Sequence, residues 1–426
     1  MSAALLREAV EAIYRAAIER VEAGAAVRRV LTRADDGGLL VGDRPFDTGD
    51  SGLWVIAIGK AGCQMMAAAE EATGDLFAGG IVVTKSAPPD TPLRSRLLVG
   101  SHPVPDERAL EAGRQVIEFA EAIPPDALVL CLISGGGSAL VEALQPGVTI
   151  EQLRGVTEAL LRSGASISEL NAVRSRLSRI KGGGLLDLLE GRTVINLIVS
   201  DVLGNPLSVI ASGPTVEPEV GEPAEAVARR YEIDITLPGE PARQPTPPAL
   251  TLIVADIAAA LDAAASAARE RGLSAQVLTD TIDVEARQAG RLFAGIVADT
   301  ALERTTLVTP CCVLAGGETI VHVRGGGVGG RNCEAAVAAA VRIAGVDGCA
   351  IGCLATDGDD GTSGAAGGVV DGGTLDDRRA AESALDDNDA YTWLANRGAA
   401  LETGPTGTNV NDLFIGVVAP AGWTGC

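Results

Sequence analysis

Lys60, Asp201 and Arg331 each stand where an apolar run gives way to glycine, a turn or the start of a helical pattern. Between them they carry the charges that phosphoryl or carboxylate chemistry needs. Cations meet the oxygens of an anion, and a carboxylate binds a hard divalent ion or accepts a proton. Lysine is scarce enough to be informative: only Lys60, Lys85 and Lys181 occur, and the rest of the 34 basic residues are arginine. Where arginine stands in so widely, the remaining lysines mark places for a compact ammonium. All three lie beside strand ends or glycine turns.

Glycine-bearing stretches supply the complementary groups. Gly59-Lys60-Ala61-Gly62 follows the apolar run 53–58 and opens a helical pattern to about Ala72. It is not a P-loop, which needs two glycines ahead of Lys-Ser or Lys-Thr. Ser134-Gly135-Gly136-Gly137-Ser138 follows the run 127–133 and offers consecutive N–H donors with two hydroxyls, a set that suits phosphate or carboxylate. The stretch 316–332 carries Glu318, then Thr319 to Val323 alternating as a half-buried strand, then glycines up to Gly329 and Gly330, and Arg331 where a helical pattern to Ile343 begins. Glycines ahead of a helix N-terminus predict an anion there; the alternative is a glycine-rich hairpin that only turns a corner.

Further polar groups fall at strand ends and in loops. Asp201 follows the run 194–199 and reads as a metal ligand or a general base. Asp357, in Thr356-Asp357-Gly358-Asp359-Asp360, follows 349–355 and could hold a metal or fix hydroxyls, although the turn lacks EF-hand spacing. Asn409 closes a tight polar loop before the last strand, 412–418. Asn171 and Lys181 lie in a helical pattern from Ser168 to Leu189, with Lys181 against Gly182-Gly183-Gly184. The arginines of that pattern read mostly as a solvated face and His322 as structural, while His102 reads as a packing or turn residue with chemistry as the alternative.

The elements that must position these groups alternate. Strand runs and helical patterns succeed one another along all 426 residues, which predicts an α/β fold with glycine loops at the carboxyl edge of a parallel sheet. A Pro- and Glu-rich stretch at 218–248 suggests a division into domains 1–243 and 244–426. The net charge of −22 argues against nucleic acid or an anionic membrane as partner. No apolar run is long enough to span a bilayer, so a cytoplasmic protein with reduced, buried thiols is expected. An acidic surface with arginine for lysine points to a halophilic source or a GC-rich genome.

In combination the motifs resemble one family. Gly-Lys-Ala at 59–61, Ser-Gly-Gly-Gly-Ser-Ala at 134–139, Leu-Asn-Ala-Val-Arg at 170–174, Ile-Lys-Gly-Gly at 180–183, Ser-Asp-Val at 200–202 and Ala-Ser-Gly-Pro-Thr at 211–215 fit it in order. So do Gly-Gly-Glu-Thr at 316–319, Gly-Gly-Arg-Asn at 329–332, Thr-Asp-Gly at 356–358 and the segment 404–412. The chain is similar to the class II glycerate 2-kinases, whose C-terminal half is the MOFRL domain. Asn205 departs from the family's usual Asp, and Cys333 from its usual Gln.

The resemblance implies two α/β domains facing each other across a cleft, the N-terminal one Rossmann-like with a mostly parallel sheet. It implies ATP-dependent phosphorylation of D-glycerate at the 2-hydroxyl with Mg²⁺, and a homodimer is one expectation. Lys60 and Arg331 are then the cationic clamp, and Asp201 the metal ligand or base, with Asp357 and Glu318 in support. Ser134, Gly135, Gly136, Gly137, Ser138, Gly329 and Gly330 would hold phosphates or the acid; Asn171, Lys181 and Asn409 would contact polar ligand atoms. Which loop takes ATP and which glycerate stays open. The rivals are an NAD(P)H-dependent hydroxypyruvate reductase, for which the dinucleotide fingerprint is missing, a non-catalytic sensor on the same scaffold, and a kinase for another small hydroxy acid.

Overall fold

The computed structural model describes residues 3–34, 37–86, 93–217, 221–239 and 246–425. Two compact units emerge: Ala23–Val254, and a discontinuous unit made of Met1–Glu22 with Ala255–Cys426. The expected boundary between 243 and 244 lies outside the described residues. The contact division falls after Val254 instead and gives the first helix to the C-terminal unit.

The first unit opens with a small antiparallel sheet of β1 (Leu31–Arg33), β2 (Leu39–Val41) and β3 (Arg44–Phe46). Its main sheet has β4 (Leu53–Ile58), β5 (Phe77–Thr84), β6 (Arg96–Val99), β7 (Leu128–Ile133), β8 (Thr193–Val199) and β9 (Leu250–Ala255), in the order β6-β5-β4-β7-β8-β9. The pairings from β6 through β8 are all parallel. Strands of such a sheet are covered on both faces and so read as continuous apolar runs; all six residues of β7 are buried. The order reverses between β4 and β7. The chain winds outward from β4 through β5 to β6, then returns to β4's other side. That switch point leaves a crevice at the carboxyl ends of β4 and β7, where open α/β sheets bind ligands.

The second unit is built on a mixed sheet of β10 (Ser274–Ile282), β11 (Cys311–Gly317), β12 (Cys349–Ala355), β13 (Gly367–Asp371), β14 (Ala400–Leu401) and β15 (Asp412–Val418). Its order is β10-β11-β15-β12-β13-β14, and β10 with β11 is its parallel pair. Helix α1 (Ala3–Val21) packs on one face, where a Cβ at Gly352 would lie 2.6 Å from Val10. The Ala286–Ala301 helix packs on the other, where a Cβ at Gly416 would lie 2.4 Å from Val297. The seven described cysteines are free and buried. Among the described residues no helix is long and apolar enough to cross a membrane.

Two local expectations are corrected. Residues 319–323 do not form a strand: β11 stops at Gly317, Ile320 makes only an isolated bridge with Glu285, and Ile320 and Val323 are exposed. The helical pattern 168–189 is broken, giving Ile167–Leu177 and then Gly184–Leu188. Gly182 and Gly183, both at positive φ, carry the chain between them.

Candidate active site

In the first unit the loops after β4 and β7 continue the strand pairing past the last strand residues. Ser134 N donates to Ile58 O at 2.9 Å and Lys60 N to Gly135 O at 2.9 Å, while Ala61 N donates to Ser134 Oγ at 3.1 Å. Gly59 has to be glycine, because at φ 137 a Cβ there would lie 2.1 Å from Ser134 Oγ. β8 delivers Asp201 to the same edge: a Cβ at Gly135 would fall 1.7 Å from Asp201 Oδ2, so the half-buried carboxylate rests directly on the glycine backbone. Lys60, the Ser134–Ser138 loop and Asp201 therefore sit at the ends of three adjacent strands.

The strands on the other side add two groups that the sequence does not assign to the site. Lys85 follows β5, and His102 follows β6. A Cβ at Gly136 would lie 3.0 Å from Lys60 Cγ and 3.1 Å from both Lys60 Cε and His102 Cδ2, so the lysine stem and the imidazole meet over one glycine. Burial, then the Lys60 and Lys85 charges, push the His102 imidazole down to about 4. Strand order is what brings these residues together, and one sequence does not reveal it.

Behind this edge the structure separates Lys181 and Asn171 from the open groups. Lys181 is fully enclosed, its Nζ donating to Glu142 Oε2 at 2.6 Å and to Val141 O at 3.3 Å. Burial pulls its pKa down, and the Glu142 carboxylate opposes that pull. It supports the loop from within, which corrects the expectation of a ligand contact. Asn171 is also buried and accepts from Ser212 Oγ at 3.0 Å. Arg174, read as part of a solvated face, is buried and donates to Ser138 O at 2.9 Å. Asn205 occupies a left-handed position at φ 55, which Asn and Asp both tolerate, so this departure from the family's Asp fits the turn.

In the second unit, β15 pairs with both β11 and β12, and Asp412 lies opposite Gly317 and Ala355. Glu318, Arg331, Asp357 and Asn409 gather around that edge. Arg331 Nε and Nη2 donate to Asp412 at 2.6 and 3.1 Å, and Nη1 donates to Glu318 at 3.1 Å. Three of the five guanidinium N–H groups are thus engaged, and one on each terminal nitrogen remains. Burial pushes the Asp412 carboxyl up to about 6 while Arg331 pulls the other way; the two-pronged contact keeps the pair ionised at neutral pH. The turn carrying Asp357 and the loop carrying Asn409 are tied together: Thr406 N donates to Asp357 O, Thr406 Oγ1 to Thr356 O, and Val410 N to Thr356 Oγ1, while Asn409 Oδ1 accepts from Asn411 N within its own loop.

The glycine run 325–330 is not an open phosphate cradle. Arg324 N and Gly325 N donate to Asn388 Oδ1, Gly326 N and Gly327 N to Asp387, Val328 N to Asp389 Oδ1, and Gly329 N to Thr362 Oγ1. The expected anion at the Arg331–Ile343 helix is the chain's own Asp360, which accepts from Asn332 N at 3.0 Å and Cys333 N at 2.7 Å. Gly330 is glycine because Asp360 Cγ would lie 2.4 Å from its Cβ. Cys333 serves this contact through its backbone, and its side chain is buried in the core of the second unit. Among the described residues no three His, Cys, Asp or Glu gather as a metal cage.

Comparisons with known proteins cover most of the chain. A domain of unknown function, DUF4147, matches residues 9–243, and the MOFRL family matches residues 311–412. A D-glycerate 2-kinase of Thermotoga maritima is 40% identical over 375 residues, covering 85% of this chain and 90% of its own. An Agrobacterium vitis protein with the provisional name of hydroxypyruvate reductase is 39% identical over 377 residues, 84% of this chain and 85% of its own. A crystal structure of glycerate kinase from Thermotoga maritima superposes with a TM-score of 0.85 at 36% identity, covering 97% of this chain and 99% of that one.

Proposed function

This chain belongs to the glycerate kinase family with a C-terminal MOFRL domain, and we propose that it phosphorylates D-glycerate at the 2-hydroxyl with ATP, yielding 2-phosphoglycerate and ADP. The observation that carries the reading is the convergence of Lys60, the Ser134–Ser138 loop and Asp201 at the switch point of the first sheet. Phosphoryl transfer depends on positioning and on meeting the charge of the moving phosphoryl group. Lys60 meets those oxygens, and the loop's backbone N–H groups and hydroxyls orient the anionic ligand. Asp201 offers a hard oxygen donor suited to Mg²⁺, which needs only one or two protein carboxylates beside phosphate oxygens. Such an ion, held there by Asp201, would supply positive charge to the phosphate oxygens. In the second unit Arg331, pre-oriented by Asp412 and Glu318, offers its remaining N–H groups to an anionic ligand, and Asp357 and Asn409 offer polar contacts at the same edge.

A coupled assay of ADP release with D-glycerate, ATP and Mg²⁺ in high KCl tests this, with the product resolved as 2- or 3-phosphoglycerate. Turnover to 2-phosphoglycerate that Lys60→Ala abolishes in folded protein supports it. A relative's reductase name makes a second arm worthwhile: oxidation of NADH or NADPH by hydroxypyruvate, with no ADP release in the first assay, would sink the kinase. If both assays are silent, a panel of small hydroxy acids tests for another acceptor.

A further inference from the structure

His102 occupies a place that the proposed chemistry leaves vacant. It stands beyond β6 on the carboxyl edge of the first sheet, half-buried, with its Cδ2 over Gly136, where the Lys60 stem also packs. Among the described residues neither ring nitrogen is hydrogen-bonded to the protein. The charges that face it are those of Lys60 and Lys85. Asp106, in the same segment, is engaged by the Ser101 hydroxyl and by Arg108.

We propose that His102 is the general base of the transfer, a role that rests on the kinase reading above and assigns Asp201 to the cation rather than to the proton. The 2-hydroxyl O–H bond breaks and its proton moves to an imidazole nitrogen. The oxygen's electron pair forms the new O–P bond to the γ-phosphorus, and the bond from that phosphorus to the β–γ bridging oxygen breaks, with ADP leaving on its own electron pair. The imidazolium then returns its proton to solvent.

Two properties of the site suit this role. In the free protein burial, and after it the two ammonium groups, keep the ring neutral, so it is ready to accept a proton. A base held that low is weak. A ligand that brings a carboxylate and phosphates against Lys60 and Lys85 cancels the opposing field and returns the imidazole toward its ordinary basicity. Base strength is thereby coupled to the seating of the anionic substrates.

The chain has two histidines, so imidazole C–H resonances can be followed in the intact protein by NMR without crowding, with His322, 62% exposed on its side chain, as the second signal. In the free protein one imidazole should titrate near 4. With D-glycerate and a β,γ-methylene ATP analogue bound, the same signal should titrate at least one pH unit higher, and Lys85→Met should raise the free value as well. His102→Gln, which keeps size and polarity but cannot carry the proton, should lower kcat about 100-fold or more, with ATP binding within about twofold of the parent. The proposal is overturned if His102→Gln keeps the parent's kcat, or if the ligands leave both imidazole titrations unmoved. The NMR arm needs no variant to fold. A parent protein that never makes 2-phosphoglycerate removes the kinase reading and this inference with it; parent turnover matched by His102→Gln removes the inference alone.

Discussion

Lys181 Nζ and Glu142 Oε2 lie 2.6 Å apart, with 1% and 0% of their side chains exposed. Glu142 also accepts from Ser178 Oγ at 2.6 Å, so the pair is hydrogen-bonded as well as charge-matched. Removing one member leaves the other charge buried without its counter-charge. Glu142→Gln and Lys181→Met should each cost about 3 kcal/mol or more, and the double variant should recover part of that loss. Urea melts of the three variants measure this. Any fall in activity should follow the loss of folded protein, with KM for D-glycerate unchanged.

Lys60→Ala should lower kcat/KM about 100- to 1,000-fold, the usual cost of removing one charge that meets the transition state. Lys60→Arg should recover little, because the stem packs within 3.0–3.1 Å of the Gly136 Cβ position and the guanidinium is a broader group. The ADP-release assay, with circular dichroism to check folding, decides.

Asp412 makes a prediction with a sign. Its folded pKa, about 6, lies above the ordinary 3.8, so between those values the folded chain keeps a proton that the unfolded chain has lost. Its contribution to stability is complete below about 4 and is lost as pH rises through about 6. His102, shifted from 6.5 down to about 4, acts oppositely: the unfolded chain binds the proton first, and stability falls as pH drops through that window. The readout is therefore the difference between Asp412→Asn and its parent, which should grow in the variant's favour as pH rises from 4 to 6. Below pH 6 the parent should also lose turnover as Arg331 loses its ionised partner.

Gly135→Ala and Gly155→Ala form a contrasting pair. The first puts a methyl group 1.7 Å from Asp201 Oδ2 and should abolish turnover. The second adds a methyl group to an exposed position of the Ile150–Arg162 helix with nothing within 4 Å. It should stabilise the protein by about 0.5–1 kcal/mol and leave kcat unchanged. Thermal melts and the kinase assay together report on both.

Much of the fold is legible in the sequence because strands buried on both faces are continuous apolar runs. β4, β12 and β15 fall at 53–58, 349–355 and 412–418, as their patterns predict. The loops after β4 and β7 are legible for the same reason, since glycines directly after such runs mark the edge. What stays hidden is long-range. Asp360, Asp387 and Asp389 fill the N–H groups of the 324–333 segment from some 30 to 60 positions away, so a run with the composition of an anion site is satisfied internally. Residues 319–323 alternate like a strand, yet their neighbour β11 is already paired on both sides, with β10 and β15. The His102 site depends on strand order, which no local pattern encodes.

Helix α1 belongs to the unit whose strands come after Val254, and this sets an order of events at the ribosome. α1 leaves the exit tunnel ahead of the strands it packs on, with Tyr14 and Val10 on the face that will meet β12, and its partners are not made until the whole of Ala23–Val254 has followed. The first unit can close while α1 waits as an unpartnered amphipathic segment, a natural client for a chaperone. The second unit can complete its core only once β15 has been made.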